Sequence, residues 1–204
     1  MDNIAVARRI FTGVILAGGQ AQRMGGQDKG LIELNGSPMV QYVLDVMVPQ
    51  VNKVIINANR NQDIYAHYGH EVIGDEFEGF CGPLAGMAST MRAVDTPFML
   101  TVPCDSPFVP DDLAKRLYLQ MIKKDADISV AHDGNRIQPV FVLLKASLLD
   151  SMLAFLNKGE RKIDKWFEQH NLAVTDFSDK PDTFININNR GDLSMIESRL
   201  KERG

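Results

Sequence analysis

The chain has 204 residues, 45% of them hydrophobic and 24% charged, with a formal net charge of -4. That size suits one α/β domain with a substantial core, and the acidic balance argues against general nucleic-acid binding, which needs a basic face to neutralise phosphates. No apolar run approaches the ~20 residues that span a membrane, and the opening Met1-Asp-Asn-Ile-Ala-Val-Ala-Arg-Arg9 lacks a signal-peptide core, so the cytoplasm is the expected compartment.

Strand-like and helix-like patterns alternate from residue 12 to about residue 123. Gly13–Leu16 is expected as the first strand, running into a glycine-rich stretch that ends at Gly30. Pro38–Val48 carries apolar residues at 39, 40, 43, 44, 47 and 48, a helical stripe with Ser37 as N-cap and Pro38 at the first helical position. Val54–Ile56 reads as a second strand ending at Asn57-Ala-Asn-Arg60, followed by a short helix at Ile64–Tyr68. Val72-Ile73 is a third strand, ending at Asp75, and Gly82-Pro83 opens a helix through about Ala93. Pro97–Val102 is a further strand, ending at Pro103-Cys-Asp105-Ser-Pro107, and Asp111–Lys123 is helical. Such alternation predicts a doubly wound, mostly parallel sheet with helices on both faces, an α/β fold of three layers.

After Lys124 the pattern changes. Ile128–Ala131 and Val140–Leu144 are apolar runs joined through Asp133-Gly134-Asn135, a hairpin turn signal. Helical stretches follow around 146–157 and 162–169, then a last strand at Phe184–Asn188 and a terminal helix at about 191–202. Without repeats or flexible linkers, residues 1–204 read as one domain, with an amino-terminal half at 12–123 and a carboxyl-terminal lobe at 124–204.

The stretch Leu16-Ala-Gly-Gly-Gln-Ala-Gln-Arg23-Met-Gly-Gly-Gln-Asp-Lys29-Gly30 carries the chemistry. Its glycines let an anion approach main-chain N–H groups closely. Arg23 offers a planar fork and Lys29 a point charge, both suited to polyphosphate. A Walker A loop would need Ser or Thr after its lysine, where Gly30 stands. The dinucleotide fingerprint fails too, because the glycines fall at 18, 19, 25 and 26.

Ligands of open α/β sheets collect beyond the carboxyl ends of the strands. The glycine loop, Asn57, Asp75 and Asp105 each follow a different predicted strand, so they should meet at one edge. Beside a polyphosphate, the Asp105 carboxylate is a natural ligand for Mg²⁺. Alone, Asp105-Ser-Pro107 would pass for a turn. At Phe184–Asn188, Asn186 and Asn188 share a face, either bonding a neighbouring loop or touching a polar ligand. Cys81 and Cys104 form no Cys-x-x-Cys pair, and the histidines at 67, 70, 132 and 170 lack metal-ligand spacing. No Gly-x-Ser-x-Gly elbow or Schiff-base lysine is visible, so transfer between bound phosphates fits better than covalent catalysis.

These residues resemble the molybdenum cofactor guanylyltransferases, bacterial enzymes that attach GMP to molybdopterin. The family pattern of Leu-Ala-Gly-Gly, three residues, Arg-Met-Gly-Gly, one residue and Asp-Lys-Gly stands unbroken from Leu16 to Gly30. The likeness continues through Asn57-Ala-Asn-Arg60, Gly82-Pro-Leu-Ala-Gly-Met87, Pro103-Cys-Asp105, His132-Asp-Gly-x-Arg136, Gly159-Glu-Arg161 and Phe184-Ile-Asn-Ile-Asn188. It implies a Rossmann-like nucleotidyltransferase fold and Mg²⁺-dependent transfer of GMP from GTP to the molybdopterin phosphate, releasing pyrophosphate. By this similarity Leu16, Ala17, Gly18 and Gly19 border the guanine nucleotide, Arg23 and Lys29 hold its phosphates, Asn57 and Asp75 bind it, and Asp105 ligates Mg²⁺. Gly82 and Gly86 would flank the acceptor, with Arg161, Lys162, Asn186 and Asn188 as its contacts on the carboxyl-terminal lobe. Family members can carry arginine where Lys162 stands, which would exchange a fork for a point charge. A molybdenum-insertion protein upstream and acceptor molybdoenzymes downstream are the implied protein partners. The cytidylyltransferase of the same cofactor resembles Ala-Ala-Gly at the first turn, so Gly18 favours guanine. Sugar-phosphate nucleotidyltransferases and a non-catalytic nucleotide carrier are the alternatives.

Overall fold

Alternation along the first strand decides the layering. The computed structural model describes residues 8–19, 26–77, 82–180 and 182–203. In β1 (Phe11–Leu16), Phe11 and Ile15 enter one core and Val14 the other, as a period of two requires. Gly13 lies under helix α1 (Met39–Met47), where a Cβ would stand 3.0 Å from Met47 Cε and 3.1 Å from Val51 Cγ2. Its missing side chain lets the helix close on the sheet.

The remaining strands are β2 (Glu33–Leu34), β3 (Ser37–Pro38), β4 (Lys53–Asn57), β5 (Glu71–Ile73), β6 (Phe98–Pro103), β7 (Ile128–His132), β8 (Ile137–Lys145) and β9 (Leu172–Asp176). Six of them join β1 in one seven-stranded sheet in the order β5-β4-β1-β6-β8-β7-β9, and β2 with β3 makes a separate ribbon. The sheet spans both halves of the chain, and only β8 runs antiparallel to its two neighbours. Helices α1 and α4 (Leu113–Lys123) cover one face; α3 (Pro83–Met91), α5 (Leu149–Asn157) and α6 (Ile163–Phe167) cover the other. The three-layer, mostly parallel expectation therefore holds. Among the described residues no helix is long and apolar enough to cross a membrane.

Register brings the strand ends level. Leu16 pairs with both Asn57 and Pro103, and Asn57 pairs with Ile73, so four parallel strands finish in one row. The antiparallel β8 is irregular at the same edge. Its pairing with β7 jumps from Val142 opposite Val130 to Gln138 opposite Ala131. Pro139–Phe141 leave that ladder, and Thr101 Oγ1 donates to the Val140 carbonyl at 2.6 Å.

Three expectations need correction. Phe184–Asn188 is not a strand but an irregular segment lying across the sheet edge. Asparagines are poor strand formers, and this stretch is held by other means. Phe184 wedges against Phe141 and Phe177 at centroid distances of 4.8 and 5.5 Å, while Ile187 is buried with Leu34, Met39 and Ile196. Ile196 belongs to the terminal helix α7 (Arg190–Arg203), so the carboxyl-terminal arm docks on the amino-terminal half. Second, β9 was not foreseen; only Ala173 and Thr175 of its five residues are buried. Third, Ser37 and Pro38 pair with Glu33 and Leu34, so α1 starts at Met39 with Pro38 in the cap position and no side-chain cap bond.

Trp166 anchors the second core: it is fully buried, its indole N–H donates to Ser151 Oγ at 3.3 Å, and it packs on Phe167 and His170. Truncation to alanine should cost about 3–5 kcal/mol, read as a lower denaturant midpoint at unchanged slope. A loss within 1 kcal/mol would show that this packing contributes little.

Candidate active site

At the level row of strand ends lies a cleft of about 480 Å³, lined by Leu16, Ala17, Gly18, Gly19, Lys29, Asn57, Asp75, Gly82, Pro83, Pro103, Cys104, Asp105 and Val140. All the described residues expected to hold a nucleotide are therefore brought together, with Gly82 from the expected acceptor set. Arg23 lies outside the described residues.

The centre is an ion pair. Lys29 Nζ stands 2.7 Å from Asp105 Oδ2 and donates to Asn188 Oδ1, also at 2.7 Å. Asp105 follows the β6 end and is buried, and its carbonyl accepts the Ile187 N–H at 3.0 Å. Ser106 Oγ donates to Asn186 Oδ1. Both asparagines thus bond neighbouring segments. Among the described residues no group of three His, Cys, Asp or Glu side chains could hold a metal ion.

The far wall is built on amides. Asn57 Nδ2 donates to Asp75 Oδ1 at 2.8 Å and to the Ile73 carbonyl at 3.1 Å. Asn59 grips Asp75 from the other side: its Nδ2 reaches Asp75 Oδ2 at 2.8 Å, and its Oδ1 accepts the Asp75 N–H at 2.7 Å. The Asp75 carboxylate is thereby fixed in orientation before any ligand arrives. Gly18 and Gly86 make this possible. A Cβ on Gly18 would lie 2.9 Å from Asn59 Nδ2, and one on Gly86 would collide with Asn57 Oδ1 and stand 3.1 Å from Leu16 Cδ2. Gly86 is buried inside α3 behind Asn57, so it shapes the wall rather than lining the cleft.

Lys29 is set by its neighbours. Asp28 is buried and accepts the Tyr65 hydroxyl at 2.6 Å and Asn61 Nδ2 at 3.1 Å. Burial pushes the Tyr65 hydroxyl well up from its ordinary value, and the accepting carboxylate adds to this, so it stays a donor. Gly30 must lack a side chain because a Cβ would run into the same hydroxyl. Burial also pushes the Cys104 thiol up, with the Asp105 and Asp28 charges adding to it and Lys29 opposing. A thiol kept neutral is no nucleophile.

Of the six residues expected to serve the acceptor, five stand apart from the cleft lining: Gly86, Asn186 and Asn188, already placed above, and Arg161 and Lys162. Arg161 Nη1 donates to the Leu156 and Glu160 carbonyls, both at 2.7 Å, and Lys162 is exposed just before α6. The Arg161 carbonyl lies 3.9 Å from where a Gly82 Cβ would be, so that backbone borders the rim. Asp28, Asn59, Arg60, Tyr65 and Val140 had no assigned role. The first three stand inside stretches already singled out, but Tyr65 offers no signal beyond an apolar helix position. Val140 reaches the cleft only through the irregular pairing of β8.

A glycine-loop cleft at the strand ends of a three-layer sheet is the arrangement of the nucleotidyltransferase fold. Residues 13–174 match the MobA-like NTP transferase domain. A molybdenum cofactor guanylyltransferase from Shewanella sediminis is 55% identical over 175 residues, covering 86% of this chain and 89% of that protein. Among solved structures, molybdopterin-guanine dinucleotide biosynthesis protein A from Archaeoglobus fulgidus superposes with a TM-score of 0.79 at 23% identity, covering 94% of this chain and 99% of that one. A nucleotidyl transferase from Methanothermobacter gives a TM-score of 0.76 at 18% identity, covering 96% and 99%. The chain belongs to the MobA-like NTP transferase family and, within it, to the molybdenum cofactor guanylyltransferases, which are nucleotidyltransferases.

Replacing Gly86 with alanine should displace Asn57 from Asp75 and weaken nucleotide binding about tenfold or more, equivalent to about 1.4 kcal/mol. Equilibrium titration with GTP reads this directly; an unchanged Kd would mean that the Asn57–Asp75 wall does not contact the nucleotide.

Proposed function

We propose that the protein transfers GMP from GTP to the phosphate of molybdopterin. An oxygen of the acceptor phosphate attacks the α-phosphorus of GTP, the bond from that phosphorus to the bridging oxygen breaks, and pyrophosphate leaves. The observation that carries this reading is the Lys29–Asp105 pair inside a glycine-bordered cleft. Such a site has a cation and a carboxylate beside glycine-rich backbone, and needs no covalent intermediate. Arg23 and Lys29 bind the phosphates and stabilise charge as the pyrophosphate departs. Leu16, Ala17, Gly18 and Gly19 border the nucleoside, with Asn57 and Asp75 opposite. The choice of guanine is supported by the names of the relatives and by Gly18.

Residues 12–123 form the GTP-binding half and 124–204 the molybdopterin-binding half, with Gly82, Gly86, Arg161, Lys162, Asn186 and Asn188 serving the acceptor. Mg²⁺ is the fitting metal. A single carboxylate is enough for an ion that takes its remaining ligands from substrate phosphates and water, and Asp105 supplies that carboxylate in the cleft. When bound there, the ion would neutralise phosphate charge and orient the phosphates. We further assign the reaction to the cytoplasm, between a molybdenum-insertion protein and acceptor molybdoenzymes.

Asp105→Ala should lower turnover by roughly 10²–10³-fold, the scale of a lost electrostatic group at a reacting centre, while part of the nucleotide affinity survives. Unchanged turnover would remove Asp105 from the reaction. Lys29→Ala should weaken GTP binding and slow transfer together, because its charge serves both bound phosphates and leaving group. Kinetics like those of the intact protein would exclude it from the site.

A further inference from the structure

The turn after β4 carries an arginine that the transfer chemistry does not use. Arg60 Nη1 donates to the Gly26 carbonyl at 2.7 Å, and Nη2 donates to the Gly19 and Gln27 carbonyls at 3.4 and 3.3 Å. One guanidinium therefore bonds backbone on both sides of the glycine-rich loop, at the end of β1 and at the approach to Lys29. Its Nε is buried and has no hydrogen-bond partner among the described residues, although Asp28 Oδ2 lies 3.7 Å away. The side chain satisfies three carbonyls in preference to a close pairing with the acid beside it. A planar trans peptide points its N–H away from its carbonyl. The Gln27 and Asp28 N–H groups are thus turned away from the guanidinium.

We infer that Arg60 is a positioning residue for nucleotide binding, a clamp that fixes the two ends of the glycine-rich loop; this rests on the GTP reading above. The clamp depends on shape as well as charge. A guanidinium presents five donors in a rigid fork, whereas an ammonium on a flexible stem is a point charge that cannot span carbonyls on two sides. Lysine at this position should therefore fail to replace it. Asp28 keeps Tyr65 and Asn61, and Lys29 keeps Asp105 and Asn188, when Arg60 is altered. The loss should fall on nucleotide affinity rather than on the chemical step.

The test compares the full-length protein with Arg60→Lys and Arg60→Met, using GTP with Mg²⁺ as the ligand. Both variants should raise the GTP Kd and KM about tenfold or more with kcat within about threefold, the pattern of lost ground-state binding. Lysine should be no better than about twofold above methionine, since its charge cannot replace the fork. In the nucleotide-free protein, hydrogen exchange at the Gln27 and Asp28 amides should quicken in both variants. Ethylguanidinium added to Arg60→Ala should restore part of the affinity, a recovery that general loss of structure would not give. A lysine variant that binds GTP like the intact protein would overturn the clamp, as would unchanged exchange at both amides. If the intact protein itself does not bind GTP, the proposed function falls, and the exchange comparison still decides the clamp.

Discussion

Everything at the site depends on keeping one cation and one carboxylate together in a cleft without letting them neutralise its purpose. Lys29 and Asp105 sit on segments far apart in sequence and meet at 2.7 Å. A pair this short in a partly buried cleft is worth keeping only if both partners are fully held, because a stranded charge there would be costly. Asn188 accepts a further bond from Lys29, and the Ile187 N–H on the Asp105 carbonyl fixes the backbone that carries the carboxylate. For the proposed nucleotide, Lys29 stands already positioned and would exchange one anionic partner for another.

The level strand ends make that arrangement possible, and the turn after β4 refines it. Asn57 and Asn59 both face Asp75, Asn59 also the Gly18 carbonyl, Arg60 the glycine-loop carbonyls, and Asn61 Asp28. Asn61 holds a left-handed backbone, φ 52°, as it enters α2 (Gln62–Ala66), a conformation asparagine tolerates better than most residues. One short turn thus braces the loop on one side and the acidic wall on the other. The carboxyl-terminal arm closes the third side, with Ile187 buried as its anchor and two asparagines as its polar contacts.

The sheet and its functional edge are legible in the sequence because parallel strands in register end together, and a polar residue follows closely on three of the apolar runs: Asn57 directly after Ile56, Asp75 two positions after Ile73, and Asp105 three after Val102. Val54–Ile56 followed by Asn57, and Pro97–Val102 followed by Asp105, carry that signal locally. What escapes has a non-local cause. The β9 strand is recognisable only once β7 offers it an edge, since Leu172-Ala-Val-Thr-Asp176 is short and exposes Val174. Phe184–Asn188 has an alternating pattern yet takes its bonds from Ser106 and Lys29 rather than from a ladder. Tyr65 matters because it meets Asp28 across 37 residues, and Arg60 because it reaches Gly26 across 34. Spacing along the chain does not reveal such contacts. The resemblance marks Asn57-Ala-Asn-Arg60 as a unit without saying that its last residue faces the loop.

The most direct test of the account is to follow α-phosphorus-labelled GTP incubated with the protein, molybdopterin and Mg²⁺. The label should move to molybdopterin, with one pyrophosphate released per transfer, and labelled CTP, ATP and UTP should transfer poorly. Label that stays with GTP, or that moves as readily from CTP, would contradict guanylyl transfer at the Lys29–Asp105 cleft.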